Sequence, residues 1–218
     1  MKMSLFPVFI AALAALALIV PSSSLAAEKQ GMGKMLPKRM ELNRALRDLW
    51  VGHIFWVRNV VLMTKFGDTA GAKIAEEQVV QDAKDIANSI VPFYGKDAGD
   101  KLFTLLAGHY GAIKEYMTAD FAGNKDAKTA AIDKLNKNAD EIATFLSSAN
   151  PNWPKSTILP ALLAHGGHHV AQIDALNQKD FATEAKVWNE MKMHIYVIAD
   201  VLASGIVKQF GPKKSEGR

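Results

Sequence analysis

Shifted by 56 residues, the chain aligns with itself without a gap, and a repeat of that length constrains the fold more than any other feature. Leu49-Trp50-Val51-Gly52-His53 falls on Leu105-Leu106-Ala107-Gly108-His109, the turn Gly67-Asp68 on Gly123-Asn124, and Asp85-Ile86-Ala87 on Glu141-Ile142-Ala143. A second shift of the same size continues the series with Leu162, His165, Asp180, Ile198-Ala199 and Leu202. Each copy holds two runs of helical period. In the first, Leu46, Trp50, His53, Val57, Val60 and Thr64 recur at alternating steps of four and three. After the break at Gly67-Asp68, Ala75, Val79, Asp82, Ile86 and Ile90 share a second stripe, which ends near Pro92 and Gly95.

No stretch alternates with the period of a strand. The expectation is an all-α protein, a six-helix bundle or array made of three tandem hairpins over about 42–94, 98–150 and 154–206, with helices of about 20 to 24 residues. Breaker-rich segments separate the copies: Gly95-Lys96-Asp97-Ala98-Gly99 between the first two and Asn150-Pro151-Asn152-Trp153-Pro154 between the last two. Ser156 or Thr157 is placed to cap the fifth helix, with Pro160 in its first turn.

Two columns break the apolar pattern. The first helix of each copy carries His53, His109 or His165 on its core stripe, and the second carries Asp82, Asn138 or His194. Burial alone would ask for apolar residues there. His53 and Asp82 lie equally far on either side of the Gly67-Asp68 turn, at a height of about 22 Å for a rise of 1.5 Å per residue, so an antiparallel hairpin sets them level. The same holds for His109 with Asn138 and for His165 with His194. If the hairpins close around a pseudo-threefold axis, the three first-helix histidines converge as a nitrogen set. Neutral imidazoles in that arrangement suit zinc, copper or iron, and His194 or Asp82 would add a fourth ligand or fix an imidazole tautomer. The expected metal residues are therefore His53, His109, His165, His194 and Asp82, and a haem b ranks behind a bare ion.

The competing account is that the layer is structural, its members satisfying one another by hydrogen bonds and fixing the register of near-identical hairpins. His165, His168 and His169 form an i, i+3, i+4 cluster of which one or two can point into the layer. Gly166-Gly167 in the same helix fits either close helix approach or room for a ligand. Met191 beside His194 hints at copper but aligns with the core positions Val79 and Leu135, and Trp50, Phe55, Trp56 and Tyr110 fit either core packing or an apolar wall. No phosphate loop, nucleophile elbow, His-Glu-x-x-His helix or Glu-x-x-His pair occurs, so a ferritin-type oxidase is disfavoured.

The absence of cysteine excludes disulfides, thiolate metal sites, iron–sulfur clusters and covalent c-type haem. At the start of the chain, Lys2 precedes an apolar run from Leu5 to Val20, then Pro21, three serines and Leu25-Ala26-Ala27. This is the pattern of a secretory leader, and the run is shorter than the roughly 20 residues a spanning helix needs. The expected organisation is a signal peptide over 1–26, a flexible lead-in over 27–41, one helical domain over 42–210 and a flexible tail over 211–218. Localisation is then periplasmic or secreted, with no stable membrane insertion after cleavage. An uncleaved anchor is the alternative. Acidic and basic side chains are interspersed and the net charge is a mild +4, which argues against a nucleic-acid partner. No protein partner is specified.

Residues 49–58, 138–152 and 194–210 resemble a group of uncharacterised secreted bacterial helical proteins. The resemblance implies export and helicity and carries no catalytic residues. Three functions remain open: an exported metal-binding protein for storage, delivery or sensing; a structural or interaction module; and a histidine-ligated metal enzyme, which no distinctive general base supports. The mature N-terminus is expected at Ala27 or Glu28, and an intact-mass measurement of exported protein that retained Met1 would show an anchor instead.

Overall fold

Local sequence dictates where each helix stops. The computed structural model describes residues 22–211, with side chains from residue 40 onward, and contains α1 (Ser22–Lys65), α2 (Thr69–Tyr94), α3 (Lys96–Phe121), α4 (Lys125–Ala149), α5 (Lys155–Asn177) and α6 (Phe181–Phe210). The leader expected over 1–26 lies outside the described residues except for the first turn of α1, and the tail lies outside them beyond Gly211. The α1 backbone takes in residues 27–41, where the sequence shows no apolar face.

The turns α1–α2, α3–α4 and α5–α6 are closed by the same hydrogen bonds. Gly67, Gly123 and Lys179 take left-handed φ values of 79°, 65° and 59°. The next amide in each case reaches back to a carbonyl five residues earlier: Asp68 to Met63, Asn124 to Ala119 and Asp180 to Ala175, all at 2.9 Å. Asp68, Asn124 and Asp180 then cap the following helix, accepting from the amides of Gly71, Ala127 and Thr183. Lys179 pays steric strain at a position where glycine is easier.

Two expectations about the other connections need correction. Only Gly95, at φ 83°, separates α2 from α3, and Lys96–Gly99 already belong to α3. Gly99 serves helix contact rather than a break, since a Cβ there would lie 2.6 Å from Val91 Cγ2. At α5 the cap is Pro154, with no side-chain bond, and Ser156 and Thr157 lie inside the helix. The Thr157 amide donates to the Pro154 carbonyl at 2.8 Å, so the turn begins before either hydroxyl could cap it, and Pro160 falls in the second turn.

Each helix packs on its sequence neighbours, and α6 returns to α1 to close the ring, while α3 and α1 also touch α5. The core is divided in two. One apolar cluster, around Leu46, Trp50, Leu102, Leu106, Ile158 and Leu162, lies toward the Gly95 and Asn150 ends. The other, around Val57, Val60, Val61, Ile113, Tyr116 and Ile173, lies toward the three capped turns. The first-helix histidines fall at the boundary. Helix α6 is long and apolar enough to cross a membrane by length and composition, but Met191, Ile195, Ala199 and Ala203 are wholly buried in the bundle.

Close approach explains Gly166, where a Cβ would meet Leu135 Cδ2 at 3.1 Å, while Gly167 faces open space. Gly205 is tighter still, with a Cβ falling 1.9 Å from Trp153 Nε1. Gly205→Ala is therefore expected to lower stability by about 1–3 kcal/mol through overpacking, and Gly167→Ala to raise it by about 0.5–1 kcal/mol through helix propensity. Urea unfolding of the two variants checks both signs.

Candidate metal centre

The interior-facing stripes of α1, α3 and α5 bring His53, His109 and His165 to the bundle axis, and one turn further along α5 His169 joins them. The donor atoms of these four side chains all lie within 4.8 Å of one another, and all four residues are buried. Ring centroids are 6.3 Å apart for His53 and His109, 5.7 Å for His53 and His165, and 5.4 Å for His109 and His165. The His165 and His169 Nε2 atoms approach to 3.2 Å. For comparison, two nitrogens on a tetrahedral ion with bonds of 2.0–2.1 Å are about 3.3 Å apart, so this pair already has ligand spacing.

His169 occupies the position that the 56-residue spacing aligns with Val57 and Ile113. The repeat therefore obscures it. Its signal is the i, i+4 spacing from His165, which puts two imidazoles on one helix face as metal-binding helices do.

His194 and Asp82 are placed differently. The expectation set them beside the first-helix histidines, but α2, α4 and α6 lie outside α1, α3 and α5 at this height, and their polar side chains meet the backbone of the inner helix first. His194 Nε2 donates to the Ala161 carbonyl at 2.8 Å, and Asn138 Nδ2 donates to the Leu105 carbonyl at 3.0 Å. Both carbonyls lie four residues before the histidine of the same hairpin. Asp82 packs on Gly52, where a Cβ would meet its Oδ2 at 3.2 Å, and Asn138 packs on Gly108 in the same way, at 3.1 Å. Asp82 Oδ2 is buried without a partner, and burial, aided by nearby Asp85, pushes its carboxyl up to about 6.

The four central imidazoles are buried and short of partners. His53 Nε2, both nitrogens of His109, and the Nδ1 atoms of His165 and His169 have no hydrogen bond. Such groups cost free energy unless something fills their lone pairs. Burial holds all four neutral. It pushes His53 down to about 3, with His109 adding to the effect, and His109 to about 4, where the Asn138 side chain, close by but outside hydrogen-bond geometry, opposes it. His165 and His169 fall well below the usual histidine range through burial and the neighbouring imidazoles. Neutral imidazole is the form that ligates a metal.

No carboxylate belongs to the set. Among the described residues two acids are buried and both are paired: Asp120 with Lys128, and Glu184 with Arg58, which donates Nε to one oxygen at 2.5 Å and a terminal nitrogen to the other at 2.8 Å, while Gln172 adds a bond at 3.0 Å. The cavity beside the layer, of about 30 Å³, is lined by Leu46, Trp50, Leu106, Leu162 and other residues that are apolar apart from Ser89. A porphyrin needs a pocket of roughly 300 Å³ or more, so this cavity is too small for a haem b. Phe55 stands exposed on the bundle surface, whereas Trp50 and Tyr110 are core residues, and Met191 is wholly buried as its alignment with Val79 and Leu135 suggests. No known family, curated protein or solved structure matches the chain.

The depressed histidines tie stability to acid. Unfolding returns each to a value near 6.5, so below that pH the unfolded chain binds protons that the fold does not, and stability falls as pH drops until the folded values are reached. Each histidine contributes a slope of about 1.4 kcal/mol per pH unit. Urea unfolding of the metal-free protein is expected to show a steep loss between pH 6.5 and pH 4, shallower by about a quarter in His169→Val. A flat profile would mean that the imidazoles are already charged or solvated in the fold.

Proposed function

We propose that the protein is an exported helical bundle that holds one transition-metal ion, zinc or copper, on His53, His109, His165 and His169, for storage, delivery or sensing. The observation that carries this reading is the convergence of four buried neutral imidazoles from three helices, with unfilled nitrogens, inside 4.8 Å. Two of those four come from one helix face, which gives the site a preformed half. Nitrogen-only donors favour zinc and copper over the oxygen-rich environments that iron takes in carboxylate bundles.

Two features argue for a carried ion over a catalytic one. Four protein ligands fill a tetrahedral shell, leaving no position for the water that a hydrolytic metal must activate. Neutral ligands also leave the charge of the ion uncompensated in an apolar interior, which costs affinity and favours an ion that can be given up. Export rests on the leader pattern of the first 26 residues. We infer, too, that the three hairpins are copies of one unit, on the strength of the ungapped alignment and the three alike turns. The resemblance to secreted helical proteins points the same way.

The structural reading has one observation in its favour, the 3.2 Å contact through which His165 and His169 satisfy one another. A melting series separates the two. With zinc or copper(II) at a hundredfold excess over Kd, bound metal is expected to stabilise the wild type by about 2.7 kcal/mol relative to chelator, and the gain is expected to disappear in His53→Ala, His109→Ala and His165→Ala. His169→Val is the sharpest variant. It installs the residue that the aligned position Val57 carries, so it is expected to leave the metal-free protein as stable or more so while weakening metal binding. Equal shifts with and without metal in all five proteins would leave only the structural layer.

A further inference from the structure

All six histidines of the chain lie in one region: four form the buried centre, and the other two, His168 on α5 and His194 on α6, pair on its outer side. Their ring centroids are 5.2 Å apart and inclined at 55°. Two imidazoles that share a tetrahedral ion, with bonds of 2.0–2.1 Å, have centroids about 5 Å apart, so this pair has the spacing of two ligands on one ion. Both residues are half-buried, which leaves the pair open to water on one side.

The tautomers suit coordination. His194 donates its Nε2 proton to the Ala161 carbonyl, which leaves a lone pair on Nδ1, the arrangement by which a backbone carbonyl commonly orients a metal-bound imidazole. His168 Nδ1 is buried without a partner. Glu190, one turn before His194 on α6, is exposed and paired only loosely with Lys186 at 3.9 Å, so its carboxylate is free to attract a hydrated cation to this face.

Position supplies the rest. His168 is the chain neighbour of His169, and His194 lies close enough to His165 to influence its charge. Above and below, the centre is sealed by the two apolar clusters, across which a hydrated ion would have to shed its water unaided. At the positions that the 56-residue spacing aligns with His168, the other hairpins carry Ala112 and Trp56.

We propose that His168 and His194 form a second, water-accessible metal site that captures a hydrated divalent ion and passes it inward to the four-histidine centre. The capture site stands on its own geometry, and the transfer step rests on the reading of the buried centre given above. No bond other than metal–water and metal–nitrogen changes: water leaves as each imidazole lone pair takes its place.

The test follows zinc(II) into the whole mature protein by histidine-ring NMR and by stopped flow. The comparison variant is His168→Ala with His194→Asn, both residues taken from the second hairpin, where Ala112 stands and where Asn138 makes the equivalent bond to a carbonyl. In the wild type, the His168 and His194 resonances are expected to shift within mixing, and the four buried rings more slowly. The variant is expected to reach the same final occupancy and the same zinc-dependent rise in Tm, at least tenfold more slowly. Equal filling rates in the two proteins, or no shift at the pair, would overturn the capture site. If the pair responds and the buried rings never do, the reading of the centre falls and the transfer step with it, while the outer site remains.

Discussion

Four uncharged imidazoles removed from water impose the central constraint of this bundle, because each brings one donor and one acceptor into an interior that offers few partners. The chain answers in two ways. His165 and His169 bond to one another, while His53 Nε2, both His109 nitrogens and the Nδ1 atoms of His165 and His169 are left without a hydrogen bond. Apolar clusters then close over the layer on both sides, which drives the charged forms out of reach and keeps the rings neutral. Around this stratum, Asn138 and His194 tie α4 and α6 to backbone carbonyls of α3 and α5. The side-chain bonds that tie the two helices of the second and third hairpins thus lie close to the height of the unsatisfied groups.

Much of this was legible in residue spacing. The helix period, the glycine-led turns at Gly67 and Gly123 and the equal distance of His53 and Asp82 from the Gly67-Asp68 turn all follow from backbone geometry that any hairpin obeys. What spacing could not tell is how deep each helix lies. Level residues on inner and outer helices do not converge equally, and so Asp82 and His194 meet backbone where the first-helix histidines meet one another. His169 was hidden for a different reason: the positions aligned with it hold Val57 and Ile113, and pattern reading favours what the copies share. The 95–99 segment misled because glycine marks both chain breaks and close contacts, and Gly99 proves to be the second kind.

The departures from repetition collect in one hairpin. Where the spacing aligns Val60 and Tyr116, α5 has Gln172, bonded to the Glu184 carboxylate that Arg58 clamps from α1. Where Val57 and Ile113 stand, it has His169. The ion pair joins the first and last hairpins, and Arg47 with Asp200 does the same nearer the other end, at 2.8 Å through Nε. Ring closure between α1 and α6 therefore depends on charge-assisted bonds in addition to apolar contact, and such bonds specify which faces meet.

The void under Trp50 has a mechanical meaning. Trp50 touches both His53 and His165 edge-on, at centroid distances of 6.1 and 6.4 Å, and borders a cavity of about 30 Å³ whose lining residues are apolar apart from Ser89. A core packed to crystalline density transmits every displacement rigidly. Here the indole has somewhere to go. The imidazoles, whose donor atoms spread over as much as 4.8 Å, can draw together with compensation taken up by the indole instead of by the helices. The unfilled space is thus a compliance built against the layer, softening a small region of an otherwise stiff bundle.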